Sequence, residues 1–179
     1  MRKMFLSLLG ICLLWTGWAD NLLKNGNFEK GLDDWIVPSW IKNAITPEKD
    51  TVINAGGGTA SLKLQGEKGK RGIVFTRFLI PAQTRYLKIR MMIKTKDLGK
   101  TYAGAFLEIQ NVKKSPWSIS TYKRSANRQE TEWMEYSGTV ELPENAGSMG
   151  KLYLHMAGDA EGTVWFDDIT LEPLDVKKK

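Results

Sequence analysis

The sequence predicts an all-β domain, an antiparallel sandwich or barrel, and three observations carry that expectation. Short segments alternate apolar and polar residues with period two. In residues 86–95, Leu87, Ile89, Met91 and Ile93 fall on one face, and Lys88, Arg90, Met92 and Lys94 on the other. Turns bearing glycine or proline separate these segments. No stretch carries the capped i, i+3, i+4, i+7 stripe of a long amphipathic helix. The count comes to roughly eight to ten short strands.

The chain opens with Arg2 and Lys3, an apolar run over residues 4–15, and Thr16-Gly17-Trp18-Ala19. This is the layout of a secretory signal peptide over residues 1–19, cut before Asp20. The run is short for a membrane span, so the expected product is secreted or extracytoplasmic, in a periplasm or at a cell surface. Ile11 before Cys12 argues against a lipid anchor, where a small residue is wanted. Removing the first 19 of 179 residues leaves 160, enough for one domain over residues 20–173 and a short basic tail over 174–179. The net charge falls from +6 to +4, because Arg2 and Lys3 leave with the leader. Cys12 is the only cysteine, so the remaining domain has no disulfide and must rely on its core, with a bound metal as the available aid. No run of basic residues interleaved with aromatics suggests nucleic acid.

After the leader, Asn25-Gly26 marks a tight reversal, with Phe28 and Trp35 as apolar plugs around a loop. Residues 36–54 are irregular. Gly56-Gly57-Gly58 is a loop without the Lys-Ser/Thr pair that a phosphate cradle needs. Strands are expected over 60–65, 73–80, 86–95 and 103–110, a short one over 119–123, then 132–142, with a loop over 143–150 and a strand over 151–157. Residues 162–173 form the last, opened by Gly162 and closed by Pro173. Asp167 and Asp168 sit in its middle among apolar residues, where a carboxylate needs donors, a metal or water. Phe28, Trp35, Trp133 and Phe166 are expected in the core.

The pattern N-L-L-x-N-G-x-F-E-x-G-L-x-x-W over residues 21–35, together with G-T-V-W-F-D-D-I-x-L at the end, resembles the carbohydrate-binding modules of families four, nine and twenty-two. The passage E-W-M-E-Y-S-G-T-V-E-L-P over 132–143 fits the same resemblance. It implies a galactose-binding-like jelly roll, a β-sandwich whose first and last strands are neighbours. It also implies a structural calcium ion held by Glu29 and by Asp168 or Asp167, with loop carbonyls completing the shell; calcium takes about six to eight oxygens. Asp168 is the favoured ligand, on the expectation that Phe166 and Thr170 share its side of the strand. The competing reading has these carboxylates accept only loop amides.

A jelly roll so implied offers the outer face of one sheet to a ligand. The outward residues Arg90, Phe106, Glu108, Gln110, Tyr153 and His155 mix aromatic, amide and charged groups, as a sugar requires. Trp117 and Tyr122 would supply a stacking platform at the rim, with Trp40 as a second choice. The expected partner is a poly- or oligosaccharide, bound without catalysis. One histidine and no cysteine outside the leader leave no thiol chemistry and no zinc cluster. The adjacent pairs Asp33-Asp34 and Asp167-Asp168 do not embrace a glycosidic bond. The alternative is an exported accessory or adhesion domain that contacts a secreted or cell-surface protein.

Overall fold

The computed structural model describes residues 20–41, 43–99, 102–111, 117–120, 132–158 and 161–175. The leader with Cys12, and the lysines at 177–179, lie outside them. Among the described residues nine strands form two antiparallel sheets and there is no helix. One sheet runs β1 (Glu48–Asp50), β2 (Ser61–Gln65), β9 (Thr163–Leu174), β4 (Tyr86–Lys96), β7 (Met134–Glu141). The other runs β3 (Gly72–Leu79), β8 (Ala146–Met156), β5 (Ala103–Asn111), β6 (Trp117–Ser120). The expected β-sandwich is therefore the observed one.

The period-two pattern sets what lies between the sheets. Leu87, Ile89, Met91 and Ile93 of β4, Ala105, Leu107 and Ile109 of β5, and Leu152 and Leu154 of β8 are all buried in one core. Each such large side chain contributes roughly 1.5–3 kcal/mol by leaving water. Phe28, Trp35 and Phe166 join that core, whereas Trp133, expected there, is only half-buried because it precedes β7 at the sheet edge.

The two chain ends meet as neighbours. The Leu22 amide donates to the Leu171 carbonyl at 2.8 Å, and the Ile169 amide to the Gly26 carbonyl at 2.9 Å. Asn25, not Gly26, takes the positive φ of this turn (51°). Gly26 is needed for another reason: a Cβ there would run into the Ile169 carbonyl.

Most strands differ from expectation by one or two residues at an end, and β1 lies in a stretch expected to be irregular. β8 begins at Ala146, inside the expected loop, because its Gly147 and Gly150 hide a strand whose close packing requires them. A Cβ on Gly150 would meet the Phe78 ring, and one on Gly147 the Gln110 carbonyl at 3.0 Å. β6 opens at Trp117, two residues before the expected start, and residues 121–123 lie outside the described residues. β9 passes Pro173 and ends at Leu174. Residue 171 turns its backbone groups away from β4, towards Asn21 and Leu22; two residues on, Pro173 faces the same way, beyond the end of β2, where a missing N–H costs nothing.

Candidate functional site

The two outer faces differ in kind. On the five-stranded sheet, β4 meets its neighbours through ion pairs: Lys88 with Glu172, Arg90 with Glu135 at 2.9 Å, and Lys94 with Glu132. Arg90 thus lies on the opposite side of the sandwich from Phe106, Glu108, Gln110, Tyr153 and His155. Its strand pairs with β7 and β9, and the alternation that correctly pointed it outward could not say from which sheet.

The outer face of the four-stranded sheet is built in rows by the β3–β8–β5 register. Phe75, Tyr153 and Phe106 stand opposite one another, as do Arg77, Lys151 and Glu108 in the next row. Phe106 stacks on Tyr153 at 4.4 Å and 6°, Tyr153 meets Phe75 at 5.2 Å, and Trp40 covers Phe75 at 5.7 Å. Trp40 is 65% exposed, so the row ends in an open indole. His155 closes one side, edge-on to Phe106 and to Tyr102. Burial, then the nearby Arg71 charge, lowers its pKa to about 4, so it is neutral at pH 7.

On the other side, the Lys151 ammonium donates to Glu108 at 2.7 Å, and the Tyr153 hydroxyl donates to the same carboxylate at 3.4 Å. The bond to Glu108, opposed by burial, raises the Lys151 pKa. Arg77, Glu108, Gln110, Met149, Gly150 and Lys151 line a depression of about 340 Å³ beside the aromatic row. The structure therefore brings together Phe106, Glu108, Gln110, Tyr153 and His155. Trp117 opens β6 opposite Ile109; its side chain, and the whole of Tyr122, lie outside the described residues.

A second polar cluster sits where the chain ends meet. Glu29 accepts hydrogen bonds from the Thr59 amide and hydroxyl and from the Ala60 amide, and these bonds, Thr59 first, hold its pKa below the usual value. Asp167 accepts from the Ala55 amide at 2.9 Å and the Asp168 amide at 2.8 Å. Asp168 has φ of 47°, at a bulge where Arg90 pairs with Thr170 but Met92 with Asp167. The bulge breaks the expected alternation. Phe166 is in the core, while Thr170 on the far side of the bulge is half-buried and opposite Arg90, so the two do not share a side.

Among the described residues no three histidine, cysteine or acidic side chains form a metal-holding group. A cation here would take one or two carboxylates and otherwise loop carbonyls. Two observations suit such a group. Burial first, then the charges of Asp168 and Glu29, push Asp167 up to about 6 against its amide bonds. Gly57 and Gly58 leave room around the carboxylates: a Cβ on Gly57 would stand 3.2 Å from Asp168 Oδ2, and one on Gly58 would collide with Glu29.

No protein-family model matches this chain, and no curated protein matches it. Solved structures do. A family 16 carbohydrate-binding module is 22% identical with a TM-score of 0.64, over 84% of this chain and 99% of that one. The CBM22-1 xylan-binding domain from Paenibacillus barcinonensis is 15% identical with a TM-score of 0.62, over 89% and 97%. The enzymatically active domain of a bacteriophage CBA120 tailspike protein is 13% identical with a TM-score of 0.68, over 86% of this chain and only 21% of that one. The fold is the jelly roll of carbohydrate-binding modules.

Within that jelly roll, sequence reasoning missed Phe75, Arg77 and Lys151. All three were legible in principle, since Phe75 and Arg77 alternate on β3 with buried Val74, Thr76 and Phe78, and Lys151 is in step with Tyr153 on β8, on either side of buried Leu152. The signal was masked because Phe75 is itself an aromatic with 1% exposure, buried on the outer face by Trp40 and Tyr153 rather than in the core.

Proposed function

We propose that this protein is a secreted, non-catalytic glycan-binding module whose poly- or oligosaccharide lies along the outer face of the four-stranded sheet. The observation that carries the reading is the continuous row Trp40–Phe75–Tyr153–Phe106 beside the Lys151–Glu108 pair. Sugars present apolar ring faces and directional hydroxyls, and this face offers rings next to fixed charged and amide groups. The jelly-roll neighbours named as carbohydrate-binding modules, one of them as xylan-binding, support it. Isothermal titration against xylan, galactan and mixed-linkage glucan tests it: Trp40→Ala should abolish binding with the melting temperature little changed. Failure of the wild type to bind any polysaccharide would refute the reading.

A structural calcium ion belongs to the same proposal. Glu29 and one of Asp168 or Asp167 would hold it with loop carbonyls, and the ion would tie the 55–59 loop to the two chain ends. Calcium should raise the melting temperature and chelator should lower it, with both responses lost in Glu29→Ala and Asp168→Ala. A melt indifferent to calcium in the wild type would dismiss the ion.

A further inference from the structure

We propose that the glycan taken by this face is acidic, its carboxylate or sulfate group seated on Arg77. The proposal rests on the reading of the outer face as the glycan site and narrows it to a ligand class. Arg77 and Lys151 stand directly opposite each other across β3 and β8. Like charges in that relation destabilise a sheet unless an anion intervenes. Lys151 has one, since it turns to Glu108, its cross-strand partner on β5, at 2.7 Å. Arg77 does not. Among the described residues no carboxylate forms an ion pair with it, and its exposed guanidinium stands 5.8 Å from the Phe75 ring centre.

Among the described residues Arg77 thus stands without a carboxylate partner, at the junction of the aromatic row and the depression that it and Gln110 help to line. A neutral sugar would offer it only hydroxyls. A carboxylate or sulfate would match the guanidinium fork with two parallel hydrogen bonds. The spacing suits a substituent on a sugar ring. Arg77 is two residues along β3 from Phe75, about 7 Å at the usual strand rise. Phe75 is itself covered by Trp40, so the sugar ring would lie on the exposed Trp40 indole above it and place an acidic group at its edge over Arg77. Leu79 and Met149, paired in the row beyond and both exposed, would exclude water from that contact once a ligand covers them.

The test measures affinities at one fixed ionic strength. The ligands are polygalacturonate (carboxylate), carrageenan (sulfate ester), neutral galactan and xylan, and polyglutamate as a polyanion without sugar. One of the acidic glycans should bind at least about tenfold more tightly than either neutral one, the worth of one charge-assisted pair. Which acidic glycan it is identifies the carboxylate or the sulfate. Arg77→Gln should bring that affinity down to the neutral level and Arg77→Lys should retain part of it, while Lys88→Gln on the opposite sheet should leave it unchanged. Equal affinity for acidic and neutral glycans overturns the proposal and leaves the glycan site standing. So does equal weakening by Arg77→Gln and Lys88→Gln, or polyglutamate binding as tightly as the acidic glycan, since either marks non-specific attraction to a basic protein. Absence of binding to all four glycans removes both the proposal and the site.

Discussion

Asp167→Asn isolates the electrostatic strain where the chain ends meet. Asp167 is 1% exposed, and its pKa of about 6 stands well above the ordinary aspartate value near 3.9. That gap converts to roughly 3 kcal/mol between the two protonation states. The sign follows from the direction. Below about pH 4 the carboxyl is protonated in both folded and unfolded chains and costs nothing. From about pH 4 to pH 6 the unfolded chain ionises first, so stability falls as pH rises, and above pH 6 the full penalty is present. This single group therefore makes the metal-free protein less stable at pH 7 than at pH 4.5.

Asparagine removes the charge but keeps only one acceptor. It can satisfy the Ala55 amide or the Asp168 amide, and leaves the other facing an NH₂ group at a cost of about 1–3 kcal/mol. At pH 7 the loss and the relief nearly cancel, so the slope with pH is the informative quantity. Urea unfolding in chelator, from pH 4 to pH 7.5, should show the variant gaining roughly 2–3 kcal/mol on the wild type across the window. Added calcium should return the advantage to the wild type at pH 7. A wild-type-to-variant difference constant with pH would refute the argument, whatever its absolute size.

Asp50 accepts the Val52 and Ile53 amides at 2.8 and 3.0 Å and the Trp165 indole N–H at 2.9 Å, so Asp50→Ala should cost about 2–4 kcal/mol in the urea midpoint, with Asp50→Asn recovering part. An unchanged midpoint would mean that water serves those donors equally well. Gly26→Ala should destabilise by more than about 2 kcal/mol, because its Cβ would displace the Ile169 carbonyl and with it the bond that joins the chain ends; a melt within a degree of wild type would contradict that close approach. Phe106→Ala removes the ring stacked on Tyr153, and should cost about 1–2 kcal/mol of stability together with most of the glycan affinity. Retained affinity in a folded variant would move the site off this row.

The strands were legible where their inner face is plainly aliphatic. Ala105, Leu107 and Ile109 told the inside of β5 from its outside, and that rule also found Tyr153 and His155. It failed where glycines replaced side chains, as at Gly147 and Gly150 in β8, since close packing there demands the absence of the very signal that alternation needs. It failed again at Asp168, because one residue with positive φ shifts everything after it to the other face. Period two also says nothing about which sheet a strand joins. Arg90 points outward as expected, yet β4 belongs with β9 and β7, and strand order is a property of the whole chain rather than of any ten residues.

Strand order in turn sets the two outer faces apart. The five-stranded sheet spends its outer surface on the structure itself. Trp165 and Asp167 on β9 are buried beneath residues 50–55, through Asp50 and the Ala55 amide, and β4 crosses to β7 and β9 by ion pairs that cancel one another. Exposed pairs of that kind are worth about 0–1 kcal/mol each and leave no net charge to recognise. On the four-stranded sheet the balance is reversed. Its aromatics are packed side by side into a ledge that ends in an exposed indole, and its charges do not cancel, because Glu108 can answer Lys151 or Arg77 but not both. The proposed binding draws on both features: a surface held rigid by ring stacking, and a guanidinium on Arg77 that no carboxylate among the described residues answers.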